Sequence, residues 1–100
     1  MSLRIGLGDV YLAGGAFDRA IEIFDACVGD FPDDTCAWKA LGDTYLVDGN
    51  NDMAIRVFET GIRRFPEDWD MVRGLGYAFI DSQSYYLAVQ TFKTKHHGDM

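Results

Sequence analysis

The chain has 100 residues, of which 48% are hydrophobic and 25% charged, a composition ordinary for one small globular domain and not for a disordered segment. With 16 acidic and 9 basic residues its formal net charge is −7, which disfavours nucleic acid and anionic membrane surfaces as partners. No apolar run approaches the roughly 20 residues that a membrane-spanning helix needs. We expect a cytoplasmic location if the chain is not an excerpt of a targeted parent.

The first third of the chain is predicted to form two helices. Apolar residues recur at helical spacing over Leu3–Ala13 and Phe17–Asp30, and the two glycines at 14–15 are typical of a turn. The Phe-Pro-Asp-Asp segment at 31–34 ends the second helix, because proline cannot continue a helix and aspartate favours the cap of the next one.

The middle third is predicted to form helices at about residues 35–47 and 52–65, separated by the turn-forming segment 48–51. Trp38, Leu41 and Tyr45 lie at helical spacing, so they share one face of the first helix. Gly42 lies on the same side, where a missing side chain allows a second helix to approach closely and offsets the cost of glycine in a helix. We therefore expect position 42 to tolerate no added bulk.

The last third is predicted to form helices at about residues 69–80 and 85–95, with the Ser-Gln-Ser segment at 82–84 as the turn. His96, His97 and Gly98 are typical of a helix C-terminus, with the glycine as a left-handed cap. The two histidines are adjacent and point to different sides of a helix. They therefore cannot bind one metal ion as an i,i+4 pair would.

The three predicted pairs of helices overlay one another when the sequence is shifted by 34 residues, as Gly8, Gly42 and Gly76 illustrate. The other repeated columns are Leu7, Leu41 and Leu75; Tyr11, Tyr45 and Phe79; Ala20, Ala54 and Ala88; Phe24, Phe58 and Phe92; and Pro32 and Pro66. In the middle unit the order Trp38, Leu41, Gly42, Tyr45, Ala54, Phe58, Pro66 resembles the motif of the tetratricopeptide repeat family. This resemblance covers essentially the whole chain.

The resemblance implies an all-α fold, a right-handed α-solenoid of three helix-turn-helix hairpins. We expect a single domain over residues 1–100, with repeats at residues 1–34, 35–68 and 69–100. The family's known work is to hold peptides or partner proteins on a concave face. The resemblance therefore implies a non-enzymatic scaffold for protein–protein interaction that needs no cofactor or metal.

In this family the concave face is lined by the first helix of each unit, and repeat positions transfer that face to this chain. The residues transferred are Ile5, Asp9, Leu12, Lys39, Asp43, Leu46, Val47, Arg73, Tyr77, Ile80 and Asp81. Leu12, Leu46 and Ile80 form an aliphatic stripe beside acids, which suits a protein or peptide segment with apolar anchors and a basic residue. The stripe is equally well interpreted as partly buried packing, and both interpretations stay open.

The two ends of the predicted solenoid depart from the repeat. Arg4 stands where the middle unit has Trp38, and Lys95 stands where it has Gly61. Because a solenoid needs polar ends to stay soluble, we predict that both ends are built to stop after three units.

An alternative hypothesis follows from the C-terminal end, where the separate capping helix common in the family is missing. Tyr86, Val89 and Phe92 would then form an exposed apolar strip, and the chain would be a structural element that self-associates into a homo-oligomer. A further alternative is that the chain is a non-catalytic segment of a larger multidomain protein.

Catalytic and metal-binding patterns are weak. Cys27 and Cys36 are the only cysteines, and they form no CxxC pair and lack the neighbouring ligands of a zinc site. Asp9 and Asp43 recur once per unit and so do not form a general acid–base pair in one pocket. We predict that the chain is not an enzyme and that Cys27 fills a small buried gap.

Overall fold

Six α-helices and no strand make up the described part of the chain. A computed structural model describes the backbone of residues 3–96 and the side chains of residues 3–93. The helices are α1 (Leu3–Ala13), α2 (Phe17–Asp30), α3 (Thr35–Val47), α4 (Asn51–Arg64), α5 (Trp69–Asp81) and α6 (Tyr85–His96). Each helix packs against the next one along the chain, and α3 also packs against α1 and α5. The predicted all-α architecture of helical hairpins is confirmed.

Short turns separate the helices and fix where they begin. An aspartate or asparagine stands before each of α3, α4 and α5, and its side chain accepts a hydrogen bond from a backbone N–H of the first turn. Gly15 and Gly49 have φ angles of 81° and 83° in the turns of the first two hairpins, a conformation that glycine adopts without cost. Gln83 takes the same place in the third hairpin with a φ of 65°, which is unfavourable for a residue with a β-carbon.

Each hairpin is closed by a phenylalanine ring that occupies the space left by a glycine. The pairs are Gly8 with Phe24, Gly42 with Phe58, and Gly76 with Phe92. A β-carbon placed on Gly42 would lie 2.5 Å from Cζ of Phe58, far inside van der Waals contact. The glycine that recurs in the sequence therefore makes room for a ring of the second helix, as the expectation for position 42 required.

Phe58 also joins two hairpins, because its ring reaches α5. A β-carbon on Gly74 would collide with Cε1 of Phe58. Gly61 serves the same junction from α4, since a β-carbon there would lie 2.8 Å from Sδ of Met71. The second and third hairpins therefore share one tightly packed contact in which two glycines make room for large side chains.

The buried core runs through all three hairpins. Its members are Ile5, Ala20, Phe24, Cys27, Ala37, Trp38, Leu41, Ala54, Val57, Phe58, Met71, Leu75 and Ala78. Trp38 also fixes the connection between α2 and α3, because its Nε1–H donates a hydrogen bond of 2.8 Å to the carbonyl oxygen of Pro32. Arg64 donates to the same oxygen from α4 and forms an ion pair with Asp33 at 3.2 Å. The connection between α2 and α3 is therefore bonded to both helices of the second hairpin, α3 and α4.

We expect Gly42→Ala to destabilise the protein, because the added methyl group would collide with the ring of Phe58. Overpacking of this kind costs about 1–3 kcal/mol in the free energy of unfolding, which urea unfolding followed by circular dichroism would measure. Gly6→Ala is the matched control, since Gly6 is a helical glycine with nothing within 4 Å of an added β-carbon. Alanine there should raise stability by up to about 1 kcal/mol. Equal stability of the Gly42→Ala variant and the wild type would contradict the described ring packing.

Candidate functional site

A pocket of about 330 Å³ lies between α3 and α5. We call it the α3–α5 pocket, and it is lined by Lys39, Asp43, Phe58, Asp70, Arg73, Gly74 and Tyr77. Lys39 and Asp43 lie one turn apart on α3, while the residues from α5 follow one face of that helix. Side chains from two hairpins therefore converge in one place.

The floor of the pocket depends on a glycine and a ring. Gly74 has no side chain, and the ring of Phe58 reaches the space that a β-carbon at this position would occupy. One repeat earlier the counterparts of Lys39 and Gly74 are Ile5 and Ala40, and Ile5 is buried. The junction between α1 and α3 therefore differs from the α3–α5 pocket in both charge and shape.

The two cations of the pocket are held by acids at the start of α5. Nζ of Lys39 lies 3.1 Å from Oδ2 of Asp68 and 3.0 Å from Oδ2 of Asp70, and Arg73 forms an ion pair with Asp70. Burial lowers the pKa of Lys39, but the hydrogen bonds to Asp70 and Asp68, together with the charges of these two acids, raise the pKa overall. The hydrogen bond from Lys39 lowers the pKa of Asp70. Lys39 and Asp70 therefore both favour their charged forms at neutral pH.

Asp43 is the acid of the pocket that has no ion pair or side-chain hydrogen bond within the described residues. Its side chain stays in contact with solvent, yet its neighbours are close enough for desolvation to raise the pKa of this carboxyl. The negative charge of Asp70 raises the pKa further, while Lys39 and Arg73 oppose the shift. The surroundings of Asp43 in the pocket therefore disfavour the negative charge of its carboxylate.

The structure brings four of the predicted contact residues together in this pocket, namely Lys39, Asp43, Arg73 and Tyr77. Four others, Asp9, Val47, Ile80 and Asp81, are exposed outside it. Leu12 and Leu46 are partly buried against the core, whereas Ile80 is 39% exposed. The predicted aliphatic stripe is therefore mainly packing at its first two positions and surface at the third.

The placement of Ile5 on the contact face is wrong. Its side chain is 5% exposed and belongs to the hydrophobic core. Its counterparts in the later repeats, Lys39 and Arg73, carry charges that keep them at the surface. Burial of an isoleucine side chain instead stabilises a protein by about 1.5–3 kcal/mol. Repeat position alone therefore does not determine whether the side chain of Ile5 lies in the core or on the contact face.

The end of the molecule formed by α1 carries an apolar surface that the sequence analysis missed. Leu3, Leu7 and Val10, here called the α1 stripe, are 93%, 50% and 68% exposed and share one helix face. Their counterparts in α3 and α5 are 4% exposed or less, because the preceding hairpin packs on them. The expectation of a polar first end is therefore wrong. The 34-residue alignment could have predicted this exposed surface, because its columns identify the positions that a preceding hairpin covers in α3 and α5.

The last helix also exposes apolar side chains. Tyr86 and Val89 are 74% and 52% exposed, as the predicted strip requires. Phe92, the third residue of that strip, is instead partly buried, and its ring packs against Gly76. The strip therefore consists of two surface residues and one residue of the hairpin interior. The side chains of Lys95 and His96, and the whole of His97 and Gly98, lie outside the described residues.

A wider hollow of about 660 Å³ lies over the connection between α4 and α5. It is lined by residues 65–70 alone, so it is the surface of one stretch of chain and not a meeting point of several elements. Its acids Asp68 and Asp70 are already engaged with Lys39. The α3–α5 pocket is therefore the better candidate for a specific site.

The described part of the chain contains neither a cluster of metal ligands, nor a cysteine pair, nor a membrane-spanning helix. No set of three or more His, Cys, Asp or Glu side chains there could hold a metal ion. Cys27 is buried, as predicted, Cys36 is exposed, and both are free thiols. None of the helices described is long and apolar enough to cross a membrane.

Comparison with known proteins agrees with the architecture. The model of the tetratricopeptide repeat family matches residues 11–76, which is more than half of the chain. The matched range contains every residue of the α3–α5 pocket except Tyr77. No curated protein matches the chain.

We expect Asp43→Asn to raise the melting temperature at neutral pH. Because the pKa of Asp43 is higher in the folded protein than in the unfolded chain, this carboxyl favours folding only when protonated. Its contribution is complete below the ordinary value of 3.8 and is lost as the pH rises through the folded-state pKa. The advantage of the variant should therefore be present at neutral pH and disappear in acid.

Thermal unfolding over a pH series would measure this difference. Glu22→Gln on the exposed side of α2 is the control, since it also removes one negative charge from a chain of net charge −7. A lower melting temperature of Asp43→Asn at neutral pH would show that the carboxylate is well solvated or paired in the folded protein.

Proposed function

Because the chain belongs to the tetratricopeptide repeat family, we propose that it binds a protein or peptide segment and does not catalyse a reaction. Members of this family are generally protein–protein interaction modules. The observation that carries the proposal is the α3–α5 pocket, where charged and aromatic side chains from two hairpins surround an apolar floor. A site of this kind suits a side chain of a bound segment better than a reaction.

The proposed contact face runs along α3 and α5 beyond the pocket. Val47 follows Asp43 by one helical turn and is 62% exposed, and Ile80 follows Tyr77 at the same kind of spacing. Tyr77 is 51% exposed, so its ring is available between the aliphatic side chains and the acids. Exposed aromatic rings supply much of the binding energy at protein interfaces. This combination supports a partner that brings apolar anchors to the face.

The charge of the chain supports a partner that is also basic. A net charge of −7 attracts a basic segment over long range and repels nucleic acid and anionic membranes. The exposed acids Asp9 and Asp81 extend this charge beyond the pocket along α1 and α5. We therefore propose a peptide or protein segment that carries both apolar and basic side chains.

Val47→Glu is expected to abolish the binding of peptides that the wild type selects from a displayed random-peptide library. The substitution places a carboxylate where the proposed face offers an exposed apolar contact, and an unpaired charge is costly to bury. Biolayer interferometry with the selected peptides would measure the loss.

Val10→Glu is the matched control, since Val10 is exposed to a similar degree but lies on α1 outside the proposed face. It should bind the same peptides as the wild type. Selected peptides that bind Val47→Glu as tightly as the wild type would contradict the proposed face. A library that yields no saturable binder would contradict the function.

A second candidate is self-association, which the apolar surfaces at both ends favour. The α1 stripe occupies positions that a preceding hairpin covers in α3 and α5. Val89 on α6 occupies the column of Ile21 and Ile55, which are partly buried against the core. The α6 surface of one copy would therefore pack on the α1 stripe of a second copy, as α2 packs on α3 and α4 on α5. Such a contact is head-to-tail and can extend along a row of copies.

If this second candidate is correct, the molar mass measured by light scattering rises above 11.2 kDa with concentration. Val10→Glu should then restore the monomer, because a charge in the α1 stripe prevents its burial. Val47→Glu should leave the association unchanged. Phe92→Glu is unsuitable as a test, since its ring packs against Gly76 and the variant would lose its hairpin contact. A constant monomer mass over a wide concentration range would exclude the contact.

A further inference from the structure

We infer that the α3–α5 pocket recognises an arginine side chain of the bound segment. This inference rests on the proposed binding function and adds the chemistry of one contact. It begins with Asp43, whose carboxylate lines the pocket and has no ion pair within the described residues. A cation brought by the partner would supply the missing pair.

The charges around the pocket favour a cation over an anion as the ligand. Lys39 is shared by Asp68 and Asp70, and Arg73 is held by Asp70, so both cations of the pocket are already paired. Counting Asp68, three acids face two cations, and the acid left over is Asp43. A carboxylate ligand would have to displace one of the bound acids and would meet repulsion from Asp43.

The setting of Asp43 increases the gain from such a pair. Desolvation by the surrounding side chains raises the pKa of Asp43, so the free protein disfavours its ionised form even though the side chain still reaches solvent. A charge-assisted hydrogen bond from a ligand replaces the lost solvation, and such bonds are about twice as strong as neutral ones. A guanidinium group presents two N–H donors on one edge, which matches the two oxygens of a carboxylate.

Tyr77 gives the guanidinium group a second surface to contact. Its ring is 51% exposed and lines the same pocket. Guanidinium groups stack on aromatic faces, whereas the compact ammonium group of lysine lacks a planar face that meets a carboxylate and a ring together. The described side chains include three contacts of an arginine with an aromatic ring: Arg4 over Phe31 at 5.5 Å, Arg19 over Tyr11 at 5.8 Å, and Arg64 over Trp38 at 5.9 Å.

The size and floor of the pocket fit one long side chain. About 330 Å³ is enough for a side chain and too little for a helix. The ring of Phe58 is 1% exposed and closes the pocket beside Gly74, so a bound side chain would meet it only at the bottom of the pocket. Asp9, Asp43 and Tyr77 occupy the same repeat position. The junction of α1 and α3 therefore has an aspartate from α3 where the α3–α5 pocket has the ring of Tyr77.

Nuclear magnetic resonance titration of the whole chain with N-acetyl-arginine amide would test this assignment. We expect saturable shifts of the backbone amides of Asp43, Gly74 and Tyr77, and no saturable shifts with N-acetyl-glutamine amide or N-acetyl-glutamate amide. Asp43→Asn should weaken the arginine response roughly tenfold or more, because it removes a charge-assisted hydrogen bond. Glu22→Gln, which changes the net charge equally on α2, should leave the response unchanged.

Several results would overturn the assignment: equal responses to the arginine and glutamine probes, a stronger response to the glutamate probe, or an undiminished arginine response in Asp43→Asn. Peptides selected from the library provide the second test. Replacing their arginine by citrulline should cost about tenfold in affinity for the wild type and little for Asp43→Asn.

These tests distinguish the proposed arginine pocket from the proposed binding of a protein or peptide segment. Selected peptides that depend on Val47 but contain no arginine would overturn the arginine pocket and leave the proposed function standing. A saturable response to the arginine probe without any selected peptide would support the pocket and contradict the proposed function.

Discussion

The architecture depends on the fit of a phenylalanine ring into the space of a missing side chain, repeated in each hairpin. In the middle hairpin this ring does more than close its own pair of helices. Phe58 touches Gly42 on α3 and Gly74 on α5, so one side chain from α4 sets the distance between two helices of neighbouring hairpins. The same ring is the floor of the α3–α5 pocket. The candidate site is therefore a direct consequence of how the hairpins are packed, and its shape is as rigid as the core beneath it.

Much of this fold could be predicted from the sequence, because its determinants are local and repeat. Helical periodicity and turn residues place all six helices within about one residue, and the recurring glycine column predicts the close contact inside each hairpin. Burial could not be read in the same way. Leu7 and Leu41 occupy one column, yet only Leu41 has a hairpin packed on it. The pocket could not be predicted from the repeat pattern either, because it depends on Gly74 at a position where the earlier repeat has Ala40.

The electrostatics of the site are linked to the start of a helix. Asp68 caps α5 through a hydrogen bond from the backbone N–H of Asp70, and the same two acids bind Lys39 of α3. Helix capping and the link between hairpins therefore use the same carboxylates, and both cations of the pocket are paired with them. Asp43, one turn from Lys39 on α3, is left without an ion pair within the described residues, and desolvation raises its pKa. An acid whose charge is disfavoured and unpaired is the feature on which the proposed arginine contact depends.

The third hairpin is closed less firmly than the other two, which has a consequence for local opening. Its turn places Gln83 where the others have glycine, and Phe92 is less buried than Phe24 or Phe58. Amide hydrogen exchange should therefore be fastest in α6 and slowest around the middle hairpin. Because α5 is held to α4 through Phe58, we expect the wall of the pocket to stay in place when α6 opens. The firmest packing of the described chain thus lies under the α3–α5 pocket, and the weakest closure lies in the third hairpin.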